Sequence, residues 1–358
     1  MGSPQYMSRI TAGYRAVWTI TPMDSLSQVA LGAAIGVAVM GRRTRAWKAA
    51  AWGAAAGTMP DLDVFISHGD PILNMVLHRA ETHALFWLTL FSLPLAAGVA
   101  RLQGEWVIWR RWWLALWLVL ITHPLLDTMT VYGTQLGLPF TNHPYAVSSV
   151  FIIDPLYTLP LLVGGIWALA TRGAGIGLKA NALGLVLSTA YLAWGFVAQQ
   201  QVTQVARSSL AAQGIKAEHL LVTPTAFNTV LWRIVAVDGD DFHEGYYSLF
   251  DRQAQVDFDR FARGTTLLHD LQGIDGVRRM MAFSKGFFKL EQIGPRFVLS
   301  DLRMGQEPDY VFSFAVAERQ SPLVPLIPAQ QIGTRLDLER GLPWLWRRGQ
   351  GERLPPPR

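Results

Sequence analysis

Between Met23 and Gln199 the chain carries 18 charged side chains in 177 residues, whereas residues 200–358 carry 37 in 159. Long stretches of the first half therefore have nothing to offer water, which predicts a lipid-embedded region followed by a water-soluble one. A spanning helix needs about 20 mostly apolar residues. Four stretches qualify: 84–100, 112–121 extended toward Met129, 155–170 and 180–198. Two shorter ones, 26–40 and 46–58, are rich in Gly and Ala, which lets helix backbones approach closely. They read either as packed spans or as a re-entrant hairpin.

Arg42, Arg43, Arg45, Lys48, Arg101, Arg110, Arg111, Arg172 and Lys179 are nine of the ten basic residues in this half, and they fall in alternate loops. Cytoplasmic loops retain Lys and Arg. Six crossings with the basic loops inside place everything after Gln199 outside the cytoplasm, and the formal charge of +5 reports orientation rather than nucleic-acid binding. Residues 1–22 hold no acid and two Arg and lack a convincing signal peptide, so they read as an N-terminal extension with Met23 as an alternative start. The expected fold is a polytopic α-helical membrane domain of about six segments over 23–199, a smaller α+β domain over 200–340, and a flexible tail over 341–358. Residues 202–213 are helical in pattern; 230–237, 246–250, 296–299 and 310–317 have the aromatic and branched residues of strands.

Acids in membrane segments are costly and mark function. Five of the eight in this half stand in compact polar motifs: Asp24 in Met-Asp-Ser-Leu-Ser-Gln, Asp61 and Asp63 in Met-Pro-Asp-Leu-Asp, Asp127 in Thr-His-Pro-Leu-Leu-Asp, and Asp154 in Ile-Ile-Asp-Pro-Leu-Tyr. His78, His83 and His123 join them, and the topology puts all eight at span ends away from the basic loops. The charge rule that gave the topology used none of them.

Each motif has an ordinary structural reading as well. Asp24 and Asp154 suit helix N-caps. His123 and Asp127 share a face if the helix continues through Pro124, and then either a hydrogen bond or a shared ligand explains them. His78 and His83 lie about 140° apart on a continuous helix, so both reach one site only if the segment bends or begins between them. Asp61 and Asp63 repel unless a cation lies between them. His68 and Asp70 read as loop punctuation, and His143 is a weak extra candidate.

The chain has no Cys, so a metal must be held by nitrogen and oxygen ligands. The set His78, His83, His123, Asp61, Asp63 and Asp127, with Asp154 as a seventh ligand or as the group orienting a ligating His, suits a divalent ion: zinc first, manganese or iron next. Seven ligands would suffice for two metals about 3.5–4 Å apart. Glu81 is the candidate general base, with a salt bridge to Arg79 as its rival role. Arg79, the one cation on that face, is the candidate clamp for a substrate phosphate.

Taken in order, Met23-Asp-Ser-Leu-Ser-Gln28, Ala56-Gly-Thr-Met-Pro-Asp-Leu-Asp63, His78-Arg-Ala-Glu-Thr-His83, Thr122-His-Pro-Leu-Leu-Asp127 with Tyr132-Gly-Thr, and Phe151-Ile-Ile-Asp-Pro-Leu-Tyr157 resemble the YbcI/YdjM family of inner-membrane proteins, described as metal-dependent hydrolases. The resemblance covers about residues 23–200, and the soluble half resembles the extension of longer members. It implies a bacterial inner-membrane protein. Gln28 stands where His is sometimes found, and Ala84 replaces the usual Ser. More remotely, the His123-x-x-x-Asp127 pair is similar to the metal core of zinc-dependent phospholipase C and P1-type nucleases.

The functional expectation is thus a membrane hydrolase with a mono- or dinuclear His/Asp centre at the periplasmic face, acting on a phosphoester or on a membrane lipid or lipid-linked substrate. Its rival is a non-catalytic protein, either a metal-stabilised scaffold or a metal-binding transporter. Transport fits poorly with spans that carry almost no polar residues.

Overall fold

A computed structural model of the chain describes residues 21–333 and 338–358. Residues 1–20 of the N-terminal extension and the side chain of Asp24 lie outside the described residues. The helical region opens with α1 (Thr21–Met40) and α2 (Ala46–Thr58), an antiparallel pair joined by the basic turn at Arg42 and Arg43. Glycines set their spacing: a Cβ on Gly32 would collide with the carbonyl of Gly53, and one on Gly53 with the carbonyl of Gly32. Such contact is open only to small residues.

Pro60 then starts a 3-10 turn (Pro60–Phe65), followed by α3 (Pro71–Leu77) and a second 3-10 turn (Glu81–His83). Next come α4 (Leu85–Leu102), α5 (Trp109–Thr128), α6 (Pro155–Ala170) and α7 (Gly175–Ala212). Two of these, α4 and α7, are long and apolar enough to cross a membrane; Leu26–Met40 and α6 are apolar but shorter. The 20-residue α5 carries Arg110, Arg111 and Asp127. Pro124 does not break it, so His123 and Asp127 do share a face.

The 38 residues of α7 make one rod of about 57 Å. It runs straight through Gln199, where a boundary was expected, and its far end enters the α+β region. There Ala198, Val202 and Ala206 pack on Val222, Trp232 and Ile234 of the first sheet.

That sheet, order β1-β2-β3-β4, is antiparallel and built from β1 (His219–Pro224), β2 (Leu231–Asp238), β3 (Asp241–Ser248) and β4 (Phe258–Ala262). After α8 (Leu268–Leu271) and α9 (Asp275–Phe283) come β5 (Phe288–Ile293), β6 (Arg296–Asp301), the short hairpin β7 (Gly305–Gln306) and β8 (Asp309–Tyr310), β9 (Ser313–Glu318) and β10 (Val324–Gln331). The second sheet has order β10-β9-β6-β5, also antiparallel.

Its core recruits the helical half, because Ile72 and Met75 of α3 and Tyr132 pack among Val277, Met280, Phe283 and Leu299. Asp70, expected as loop punctuation, caps α3 through the Ile72 and Leu73 amides at 2.8 and 3.1 Å and accepts the Ala329 amide at 2.9 Å. The tail expected to be loose is held instead. In α10 (Leu338–Gly349) the Arg348 guanidinium binds Asp251 at 2.6 Å, and Trp344 is buried beside Leu231 and Tyr246.

Candidate metal centre

Helix α2 stops where Pro60, at the first position of the turn, sets a tighter path that turns Asp61 and Asp63 back toward α5. The chain returns from α3 through Arg79, whose φ of 63° is left-handed. That conformation costs a non-glycine residue about 1–2 kcal/mol. Three contacts hold it: the Arg79 amide donates to Asp63 Oδ2 at 3.0 Å, the Gln135 amide donates to the Arg79 carbonyl at 3.0 Å, and the guanidinium lies 3.4 Å from Asp127 Oδ1. The kink resolves the spacing of His78 and His83, which do not sit on one helix.

One carboxylate oxygen each from Asp61 and Asp127 converges with His83 Nε2 and His123 Nε2, all four atoms within 4.8 Å of one another. The two imidazole nitrogens are 3.2 Å apart. Asp61 Oδ1 lies 3.4 and 3.3 Å from His83 and His123, and Asp127 Oδ2 lies 3.2 and 3.4 Å from them. A tetrahedral ion with bonds of about 2.0–2.2 Å separates its ligand atoms by about 3.3–3.5 Å. Three of the six edges of this group fall in that range and two more, at 3.2 Å, lie just under it.

Hydrogen bonding fixes which imidazole nitrogens carry protons. His123 Nδ1 lies 2.7 Å from the Gly57 carbonyl, which can only accept, so Nδ1 holds a hydrogen, and in the neutral ring Nε2 is the lone pair. Thr82 Oγ1 donates its single hydrogen to Asp63 Oδ2 at 2.9 Å, so toward His83 Nδ1, also at 2.9 Å, it accepts. His83 Nε2 is then a lone pair as well. Asp127 Oδ2 is buried with no hydrogen-bond partner among the described residues. With both imidazoles neutral, four acceptors face each other in a buried space and repel, and a cation among them reverses the sign.

The supports of Asp127 are equally specific. Gln28, in the position where a His ligand was considered, donates to Asp127 Oδ1 at 3.0 Å and to the His123 carbonyl at 3.2 Å. Arg79 is 1% exposed and also reaches Thr130 Oγ1 at 3.3 Å. Its charge compensates Asp127, and a clamp on a substrate phosphate is not the arrangement observed.

The remaining candidates lie outside the four-atom group. Asp63 spends both oxygens on the His78 ring (2.9 Å), the Arg79 amide and Thr82, so it orients rather than ligates. Burial raises its pKa, but the His78 hydrogen bond, the nearby His78 and His83 rings and the Arg79 amide together outweigh that and hold the carboxyl below its ordinary value. His78 packs edge-on to Tyr132, with ring centroids 5.6 Å apart.

Asp154 is a helix cap, accepting the Leu156 amide at 3.0 Å and the Tyr191 hydroxyl at 2.7 Å. Burial pushes its carboxyl above the ordinary range despite those bonds. Glu81 is exposed and makes no side-chain bond among the described residues. Sequence reasoning missed Thr82, the Gly57 carbonyl and the role of Gln28. The hydroxyl directly before His83 was the one readable signal.

A family model for the YdjM inner membrane protein matches residues 23–202, which includes every residue of the four-atom group and its supports and stops as α7 enters the α+β region. No curated protein and no solved structure matches the chain, and no likeness to the phospholipase C or P1-type nuclease core emerges. With half of its length matched, and with the buried Asp/His group inside the match, the chain belongs to the YdjM inner membrane protein family.

Proposed function

We propose that the chain is a metal-dependent hydrolase of the bacterial inner membrane, with one divalent ion held by Asp61, His83, His123 and Asp127. Six membrane segments would keep the basic loops in the cytoplasm and set the centre and the C-terminal domain on the periplasmic side. The observation that carries this reading is the convergence of two carboxylate oxygens and two imidazole nitrogens, with the Nδ1 atom of each ring engaged by Thr82 or the Gly57 carbonyl. When bound, an ion such as zinc, or else manganese or iron, supplies Lewis acidity toward a phosphoryl or acyl oxygen and activates water.

The protein's own groups have distinct tasks in this reading. Asp61 is the most exposed of the four ligands, its side chain 20% open, and marks the side from which a substrate approaches. Asp63 holds His78 through Nδ1 and leaves His78 Nε2 free to take a proton. Glu81, exposed one residue before Thr82, is the second candidate for that proton. The opening is flanked by exposed Leu62, Phe65 and Ile66, Phe65 being 83% exposed, which favours a lipid or lipid-linked phosphoester over a freely soluble one.

One feature favours a second reading. Four protein ligands complete a tetrahedron, the pattern of structural zinc sites, whereas catalytic sites keep a position open. Under that reading the ion clips α5 to the turns before α4 and after α2. Metal analysis of detergent-purified protein, with a lipid-extract and phosphoester screen run with and without chelator, separates the two. Stoichiometric metal with chelator-sensitive turnover supports the hydrolase; stoichiometric metal without turnover supports the clip. Absence of metal in the wild type, with an unchanged melting temperature in His123→Ala, would overturn both.

A further inference from the structure

Helix α10 has two apolar faces, and one has no partner among the described residues. Trp344 and Arg348 turn inward, where Arg348 also donates to the Tyr246 carbonyl at 2.9 Å and Ser248 Oγ donates to the Gly349 carbonyl at 2.6 Å. Leu342 and Trp346, four residues apart and so on one face, turn outward. Trp346 is 71% exposed. Phe250 in the turn after β3 is 67% exposed, and Phe227, packed on Phe151, is partly so.

Polar contacts fix the height of this surface. β2 and β3 begin pairing at Leu231 and Ser248, and the Leu249 amide donates to the Val230 carbonyl at 3.0 Å, so Phe250 lies level with Thr229. Thr229 in turn donates to the Tyr191 hydroxyl of α7 at 3.1 Å. Tyr191 lies 16 residues from the start of α7, about 24 Å of helical rise, against a hydrocarbon layer of about 30 Å. Counted from the basic-loop end of α7, that height falls about 6 Å short of the far side of such a layer. Trp and Phe favour that boundary.

We infer that the outer face of α10, together with Phe250, lies in the phospholipid headgroup layer and anchors the α+β region flat on the membrane that α7 crosses. The occupant of the apolar face is the bilayer surface itself, and Phe227, packed on Phe151 just before α6, links this end of the sheet to the helical half. This stands independently of the metal centre.

The chain has no Cys, so single labels are introduced without background. Leu342→Cys, Trp346→Cys, Phe250→Cys and Asp240→Cys in the full chain would be spin-labelled and placed, one copy per disc, in nanodiscs of phosphatidylethanolamine and phosphatidylglycerol. Asp240 sits in the β2–β3 hairpin at the opposite end of the same sheet, about 24 Å away. Expected is a several-fold loss of collisions with a water-soluble nickel chelate at 342, 346 and 250 relative to 240, with a matching gain in collisions with oxygen. Equal nickel accessibility at all four positions overturns the proposal. So does protection that appears only in discs holding two copies, which would assign the face to a second chain.

Discussion

A single hydroxyl hydrogen decides how His83 presents itself. Thr82 gives that hydrogen to Asp63 and receives the Nδ1 hydrogen of His83, so the ring is held in the tautomer that aims a lone pair at the centre. Thr82→Val keeps the shape and removes the relay. Zinc affinity, measured by competition with a chromophoric chelator, should fall by about 10–100-fold, the usual cost of losing such a support. Thr82→Ser should restore most of it, and equal affinity in Val and wild type would mean His83 is not a ligand. Of the centre itself, all four convergent residues were readable, because a carboxylate or imidazole in an apolar segment has no cheap alternative explanation. Asp63, His78 and Asp154 passed the same test, yet the structure uses them for orientation and capping; which carboxylate oxygen faces which donor depends on the Arg79 kink, and no spacing rule records that kink.

Among the elements, α2 links packing to chemistry. Its glycine contact with α1 sets where its C-terminal end lies; that end carries the Gly57 carbonyl holding His123 and leads straight into Asp61. Gly53→Val drives a Cβ into the carbonyl of Gly32. It should cost about 1–3 kcal/mol through overpacking and lower the bound metal along with the melting temperature. Gly98→Ala on α4, where a Cβ meets nothing within 4 Å, is the control and should be neutral or raise stability by up to about 1 kcal/mol. If both variants melt like wild type, the α1–α2 contact is looser than described. The apolar helices were visible because composition alone demands burial or lipid. Helix α3 was not, since a seven-residue segment shows too little periodicity and its Ile72 and Met75 find their core in α9 and β6, some 200 residues away. The C-terminal helix was missed for a similar reason: its order comes from Asp251, Leu231 and Tyr246, partners that no local pattern announces.

At the scale of the molecule, α7 ties the location of the α+β region to that of the metal centre. The rod is about 27 Å longer than a hydrocarbon layer, so one end must project into water carrying the sheet packed on Val202 and Ala206. Its Gly175 end sits against the Arg42 guanidinium of the first basic turn, whereas Gly195, farther along, packs on the Ser149 carbonyl in the segment that follows α5. Three further bonds close that side: Arg303 donates to the Tyr132 carbonyl at 2.9 Å, and Gln199 donates to the carbonyls of Ser148 and Val222, each at 2.9 Å. Centre and α+β region thus share one face whichever compartment that face meets, and a single topology measurement locates both. A periplasm-dependent reporter fused after Arg358 should be active, and the same reporter inserted at Gln103 in the α4–α5 loop should be silent. The reverse pattern would turn the whole molecule over, moving the metal centre and the C-terminal region together to the cytoplasm and removing periplasmic lipids as candidate substrates.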